Sequence, residues 1–231
     1  MANAGFNAAT DIFNLGAAWK VKSNDLNATV NTAECPNYLG DITARDQYGE
    51  QIAPTAEYEC ASASATLPAL GTVVDVDGKK VAISRIVVNT RVGSAPTVQV
   101  SGVQVESGAK TLRTYALPKL TFSTRHRAQD ITGDLGTTVP ATLTSGQFTF
   151  EANITRAEPK GEITASDVSN GRYEAQYTHT VGDGTAISAP NVTGAKVVSA
   201  PVSKSSPEND YTTYTYSVSG SLTGTETGGD S

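Results

Sequence analysis

The sequence predicts an all-β protein with two tandem, structurally similar β-sandwich or barrel domains behind a short N-terminal arm. Its 231 residues are rich in Thr, Val, Ser, Ala and Gly, and β-branched residues pack well on a pleated sheet. The 21 glycines and 10 prolines supply turns between strands. Several sequence blocks also occur twice in the same order, which is typical of a duplicated structural unit.

The duplication is clearest where residues 40–46 read GDITARD and residues 161–167, which start 121 positions later, read GEITASD. Three more block pairs follow the same order, at offsets that drift from 124 to 118 residues. Chance accounts for one such match more easily than for four. The other pairs are 26–34 with 150–158, 56–58 with 175–177, and 97–102 with 215–220.

Apolar residues alternate with polar ones in both members of the first of these pairs. Successive strand residues point to opposite faces of a sheet, so each apolar set is predicted to line a buried face. Ile42 and Ile163 are likewise expected inside a sheet, where an Asp substitution would unfold the domain. The alternating sets are Leu26, Ala28 and Val30 in the first copy, and Phe150, Ala152 and Ile154 in the second.

The N-terminal arm is predicted to cover residues 1–19, which have no counterpart ahead of the second copy. Phe6, Phe13 and Trp19 are apolar within a segment made mainly of Ala, Asn and Gly. Two interpretations stay open. The arm packs on its own domain, or it docks on a neighbouring subunit, in which case these three side chains take part in assembly.

The first copy is predicted to span residues 20–110 and the second residues 146–222. The Asp77-Gly78 pair between two apolar runs favours a hairpin turn. Strands are predicted at 26–34, 40–46, 55–60, 72–76, 80–90 and 96–106 in the first copy, and at 147–157, 161–167, 172–180, 195–200 and 211–222 in the second.

Residues 111–145 are predicted to connect the two copies. The stretch 115–122 is too apolar for a flexible linker, so it is expected to pack along a surface. Arg125 and Arg127 flank His126, and this basic segment is a further candidate for assembly contacts. The tail, residues 223–231, is expected to fray.

The formal net charge of −6 argues against binding to a nucleic-acid backbone, which depends on Lys and Arg. No run of eighteen apolar residues predicts a membrane span. The first residues lack the basic and apolar segments of a secretory signal, so the chain is expected either to stay in the cytosol or to have had its signal removed. In the cytosol Cys35 and Cys60 fit two free thiols better than a disulfide.

No pattern of catalytic or metal-binding residues emerges, so the sequence predicts a non-enzymatic protein without a cofactor or metal. The chain has two histidines and two cysteines, which do not supply the close spacing of a zinc site. The DVDG stretch at 75–78 lacks the later Glu of a calcium loop and fits a turn better. No nucleophile-and-base arrangement can be assigned.

The strand-rich, acidic, duplicated sequence resembles the tail-tube proteins of tailed bacteriophages. The resemblance lies in its composition and in runs such as NYLGDITARDQYGE at 37–50. The resemblance implies β-sandwich or barrel domains that form six-membered rings, stacked into a tube through which DNA passes without specific binding. A two-domain chain would close such a ring as a trimer. It also implies contacts with other virion proteins, no membrane, and a virion location after assembly in the host cytoplasm.

Two alternatives remain open from the sequence. The resemblance to tail-tube proteins implies one domain per chain in the simplest case, and this chain is predicted to have two. A capsid decoration protein or another minor virion component, such as a neck protein, is therefore also compatible with the sequence. The strand number of each copy also fits a tandem immunoglobulin-like module for adhesion or carbohydrate binding.

Overall fold

The structure, a computed structural model, describes most of both predicted copies and part of the segment between them. The segment's Arg125 and Arg127, the arm's Phe6 and the last six residues lie outside the described part. The described residues are 10–37, 39, 41–91, 93–108, 112–118, 120–121, 132–133, 143–159, 162–182, 196–199, 202–204 and 211–225.

The described residues form β-strands joined by turns and loops, so the all-β prediction is confirmed. No helix among them is long and apolar enough to cross a membrane. In chain order the strands are β1 (Trp19–Pro36), β2 (Ile42–Cys60), β3 (Val73–Val76), β4 (Lys79–Arg91), β5 (Ser94–Gln104), β6 (Thr114–Tyr115), β7 (Leu120–Thr121), β8 (Thr132–Gly133), β9 (Leu143–Ala157), β10 (Ala165–Gly182), β11 (Lys196–Ser199), β12 (Val202–Lys204), β13 (Tyr211–Ser221) and β14 (Gly224–Thr225).

Ten of these strands form one antiparallel sheet that runs through both predicted copies. Its order is β1-β2-β5-β4-β9-β10-β13-β11, with β3 added to β4 and β12 added to β13. The first four strands in this order and β3 belong to the first predicted copy, and the other five belong to the second. The two sets are hydrogen-bonded to each other where β4 pairs with β9. The division of the chain into two tandem domains stays a prediction.

One face of the sheet carries an apolar layer that crosses the boundary between the copies without a break. Tyr58, Val98, Val88, Phe148 and Ala175 lie opposite one another on five successive strands, and each is buried. A parallel row includes Val100, Ile86 and Phe150, which are fully buried. Burial of such side chains contributes roughly 1.5–3 kcal/mol each, so this face is the main source of stability.

Non-sheet segments cover the apolar face. The stretch before β1 contributes Ile12 and Phe13, both buried. A long loop after β2 contributes Leu70, and the segment between the copies contributes Leu112 and Tyr115, which are buried as well. The apolar residues predicted to make this segment pack on the protein therefore do so for the part that is described.

Tyr115 joins the two halves of the sheet. Its backbone N–H and C=O exchange hydrogen bonds with Leu70 of the first half, at 3.0 and 3.1 Å. Gly224, just after the last strand of the second half, also pairs with it. Its ring lies so close to Gly171 that an added Cβ there would overlap it. A residue other than glycine at position 171 would therefore displace the ring.

The predicted hairpin at Asp77-Gly78 is confirmed. Val76 pairs with Lys79, and the two turn residues have φ values of 51° and 74°. Positive φ at both central positions is the geometry of a two-residue type I′ turn, for which Asp-Gly is a favoured sequence.

The predicted break between the second and third strands of each copy is wrong. β2 continues through Gly49 and Pro54, and β10 continues through Asn170 and Gly171. The reason is a β-bulge in each strand, where two residues lie opposite one and the chain keeps its direction. Gly49, Asn170 and Gly171, which favour turns, lie at these bulges and do not end the strand.

The buried-face prediction is confirmed for Phe150 and Ala152. Leu26 and Ile154 are partly buried against the core, and the prediction is wrong for the other residues of the first copy. Val30 and Ile42 are each 45% exposed, and Ala28 is exposed as well. Here the first hairpin extends past the strands beside it, so none of the described segments buries these three residues. Ile42 is therefore not an interior residue.

Candidate functional site

The joint between the two halves of the sheet is formed by seven consecutive residue pairs of β4 and β9. They run from Arg85 opposite Glu151 to Arg91 opposite Ser145. On the buried face, Ile86 lies opposite Phe150, and both are fully buried. At the joint, the strands of the second half thus pair with the edge of the first half, and a buried apolar layer stabilises the pairing.

Polar contacts mark the other face of the joint. Gln147 Nε2 donates a hydrogen bond to Asn89 Oδ1 at 2.9 Å. Glu151 accepts from Arg172 at 2.6 Å and lies 3.8 Å from Arg85 Nε. These side chains are partly exposed, and pairs of this kind contribute up to about 1 kcal/mol. They favour one register of the joint over a slipped one.

The two halves share a strand order. In the first half β5 lies between β2 and β4, and in the second half β13 lies between β10 and the pair β11 and β12. The paired residues also correspond through the sequence blocks, because Ala56–Val100 matches Ala175–Val218 and Tyr58–Val98 matches Tyr177–Tyr216.

The bulges in β2 and β10 lie at similar places, since residues 49 and 170 share the 121-residue offset of the block at 40–46, but the residues that face them are two positions out of step with the block at 26–34. Residue 30 faces residues 49 and 50, and residue 152 faces residues 170 and 171. The first bulged residue has a left-handed φ in both cases, 63° at Gly49 and 54° at Asn170. The places of the bulged residues agree with the repeated block at 40–46; that both halves derive from one copied unit stays a prediction.

β1 forms one edge of the sheet. It has 18 residues and pairs with β2 along its whole length, while no strand of the described residues pairs with its other side. Its counterpart in the second half, β9, has β4 on that side. Exposed strand edges are templates for pairing with another chain.

The opposite edge of the sheet is formed by β11 and β12, which both pair with β13. Within the described part of the chain, no strand lies beyond them. They occupy the position that β4 has in the first half. Both ends of the sheet therefore lack the neighbour that the corresponding strand has at the central joint.

The tip of the β1–β2 hairpin is an exposed apolar feature. β2 pairs with β5 only at residues 55–59, so the hairpin continues alone to the pair Pro36–Ile42. Leu39 at the tip is 70% exposed. At the base, Gln51 donates a 2.8 Å hydrogen bond to Glu158 of the second half. An isolated two-stranded ribbon is marginally stable in water, so this tip gains most from a partner.

Phe13 and Trp19, predicted as candidates for an assembly arm, are buried in the core of their own chain. Trp19 Nε1 donates to the carbonyl of Thr66 at 2.9 Å. In this conformation they present almost no surface to a neighbouring subunit, as in the first of the two interpretations of the arm. Their role in assembly stays a prediction, as does that of Phe6, Arg125 and Arg127, which lie outside the described residues.

A buried tyrosine holds the N-terminal segment in place. Tyr58 Oη donates to Asp11 Oδ1 at 3.0 Å and accepts from the backbone N–H of Phe13 at 3.3 Å. Asp11 also accepts from Gly16 N at 2.8 Å. Burial, and secondly the negative charge of Asp11, raise the pKa of Tyr58 far above its usual range. The Tyr58 hydroxyl stays protonated at neutral pH and keeps its hydrogen bonds to the N-terminal segment.

The described residues contain no group of three or more His, Cys, Asp or Glu side chains that could hold a metal ion. A polar groove of about 730 Å³ lies on one face near the joint, lined in part by Glu57, Asn89, Gln147 and Gln176. None of these residues is brought together with a histidine or a reactive thiol in the described geometry. The groove presents amides and carboxylates suited to hydrogen bonding.

Cys35 and Cys60 are both free thiols. They lie toward opposite ends of the β1–β2 hairpin, where Cys60 pairs with Trp19 and Cys35 with Ala44. Cys60 is buried, which raises the pKa of its thiol and makes it inert. Cys35 is exposed.

The candidate site is therefore the pair of open sheet edges, which sequence reasoning missed. The repeat itself carried the signal, since a strand order copied in tandem leaves one unmatched strand at each end. The sequence matches no family model, and no curated protein is significantly similar to it.

Proposed function

We propose that this protein is a non-enzymatic structural subunit that associates with copies of itself into a ring or tube of a bacteriophage particle. The observation that carries the proposal is the joint between β4 and β9. It shows how one group of strands adds to the edge of another, and the same kind of edge is open at both ends of the sheet.

The charge of the chain supports a tube through which DNA passes. The formal net charge is −6, and like charge keeps a nucleic acid from adhering to a protein surface. Three chains, each contributing two halves, would close a ring of six units, and six chains are the other simple solution. Such a subunit would act in the virion after assembly in the host cytoplasm, together with other virion proteins.

The test is the size and shape of the purified full-length protein. We expect its mass by light scattering to rise with concentration to a trimer, a hexamer or a larger polymer, and negative-stain images to show rings or tubes. A monomer over the whole concentration range, with no rings or tubes, would refute the proposal. A closed oligomer that does not stack would favour a decoration or neck position.

A second candidate, a carbohydrate-binding module, is favoured by the polar groove. Its Asn89, Gln147 and Gln176 side chains offer the amide donors and acceptors that sugar hydroxyls require. A monomer that binds immobilised glycans, and loses this binding on Gln147→Ala, would support the module in place of the assembly subunit.

A further inference from the structure

The two open edges of the sheet correspond to the two strands that already pair at the central joint. β9 corresponds to β1, because the block at 150–158 matches the block at 26–34. β11 and β12 together take the place of β4, because they pair with β13 as β4 pairs with β5. The pairing of β4 with β9 inside the chain is thus a template for how an open β11 would pair with an open β1.

The backbone groups of β1 around Leu26 point to the open edge. Opposite residues of an antiparallel pair exchange either both hydrogen bonds or none, in alternation. The N–H of Ile52, opposite Ala28, donates to Gln104 Oε1 at 2.9 Å, on the side away from β1. Pro54, opposite Leu26, has no N–H to donate. Both pairs therefore fit the non-hydrogen-bonded type, which turns the N–H and C=O of Leu26 outward.

The register of β11 follows from the repeated block at 97–102 and 215–220. Ser101 in this block pairs with Arg85 of β4, and its counterpart Ser219 pairs with Lys196 of β11. At the far end of the strands Ser94 pairs with Arg91, and its counterpart Thr212 pairs with Lys204 of β12. In the first half β4 therefore has a basic residue at each of these two pairs. In the second half β11 and β12 have a basic residue at the corresponding pairs.

We infer that β11 of one copy pairs antiparallel with β1 of a second copy, in the register of the central joint. Arg85 opposite Glu151 and Ile86 opposite Phe150 translate into Lys196 opposite Asn27 and Val197 opposite Leu26. This inference rests on the proposed function and names its interface. The partner is a second copy of this chain.

The contact is head-to-tail, since each copy contributes a different edge. Such heterologous contacts repeat, and they generate a ring if the rotation between copies closes or a continuous filament if it does not. Each copy keeps one β1 and one β11 available until closure. The sheet of one chain would then continue into the next as its first half continues into its second.

The test is a cysteine pair placed across the inferred interface. Asn27→Cys and Lys196→Cys are combined in one chain that also carries Cys35→Ser, which removes the exposed native thiol, while buried Cys60 is kept. Because Leu26 turns its N–H and C=O outward, the inferred pair of residues 27 and 196 would be of the non-hydrogen-bonded type, whose short Cα separation suits a disulfide. The controls are each single cysteine and the slipped pair Asn27→Cys with Val197→Cys, since adjacent residues point to opposite faces.

After mild oxidation we expect a ladder of covalent oligomers, or one closed band, on a non-reducing gel for the matched pair. The single and slipped variants should give no ladder. No ladder from a folded matched pair, while the unmodified chain assembles by light scattering, would overturn the inferred register and leave the proposed function standing. A disulfide within one chain would overturn the choice of a second copy as the partner. An unmodified chain that never assembles would overturn both.

Two variants that change the charge of residue 27 test the same register if the cysteine variants do not fold. Asn27→Glu places a carboxylate opposite Lys196, as Glu151 lies near Arg85 at the central joint, and Asn27→Lys places a like charge there. We expect the first to lower and the second to raise the concentration needed for assembly, each by about twofold to fivefold at low salt. Equal concentrations for both variants would overturn the register.

Discussion

The β1–β2 and β9–β10 hairpins are built alike but lie in different surroundings. Both have long strands and a bulge with a left-handed residue, at Gly49 and Asn170. In the second hairpin Phe150 is fully buried, whereas its counterpart Leu26 in the first is only partly buried, at the margin of the core. The difference lies beyond the hairpin, because β4 flanks β9 and no described strand flanks β1. Burial of an apolar strand residue thus depends on the strand across the edge as much as on its own alternation.

The largest effect is expected at the two corresponding apolar positions. Phe150→Ala should reduce the free energy of unfolding by about 3–5 kcal/mol, because it leaves a cavity in the joint. Leu26→Ala should cost less, about 1.5 kcal/mol, since a partly buried side chain at the margin of the core loses only part of the transfer free energy. Chemical denaturation of dilute protein measures both. Equal losses would show that the two hairpins are equally covered.

A smaller effect is expected from Tyr58, which holds the N-terminal segment that only the first half has. Tyr58→Phe should cost about 1 kcal/mol at neutral pH by removing the hydrogen bond to Asp11. The raised pKa of Tyr58 means that the unfolded chain ionises first, so its stabilising contribution is full below pH 10 and declines above it.

The pH dependence separates this effect from a simple loss of packing. The difference in unfolding free energy between the original protein and Tyr58→Phe should be constant between pH 7 and 9. It should then shrink above pH 10, by up to about 1.4 kcal/mol per pH unit. Urea titrations at each pH measure it. A difference that stays constant to pH 11 would contradict the protonated, buried hydroxyl.

The smallest effect is expected at the exposed tip of the first hairpin. Ile42→Asp should change the free energy of unfolding by less than about 0.5 kcal/mol, because the side chain is 45% exposed. The matched control is Ile83→Asp on β4, where the side chain is fully buried and an unpaired charge should prevent folding. Failure of Ile42→Asp to fold would mean that the tip is covered.

Much of the fold can be predicted from the sequence, because the signals are local. Alternation and β-branched composition predict most strands, and the Asp77-Gly78 turn predicts the β3–β4 hairpin. The strand breaks near Gly49 and Asn170 are mispredicted, since the same residues that favour turns also form bulges. Whether a left-handed residue ends a strand is decided by pairing on both sides of it, which a single segment does not encode.

The candidate site is harder to predict because an open edge is a property of strand order. The repeat indicates corresponding strands, but the order that places β1 and β11 at the ends depends on long-range pairing. Phe13 and Trp19 illustrate the same limit. Their apolar character predicts that they are buried, and only the fold shows that Tyr58 and the loop near Thr66 receive them.

Tyr115 couples the unfolding of the two halves. It is hydrogen-bonded to Leu70 in the first half, its ring fills the space left by Gly171 in the second, and it pairs with Gly224, which follows the second half. Loss of either half would strip this residue of half its partners and open the shared apolar layer. In spite of its repeated sequence, the chain should therefore melt in a single cooperative transition, as a small one-domain protein does.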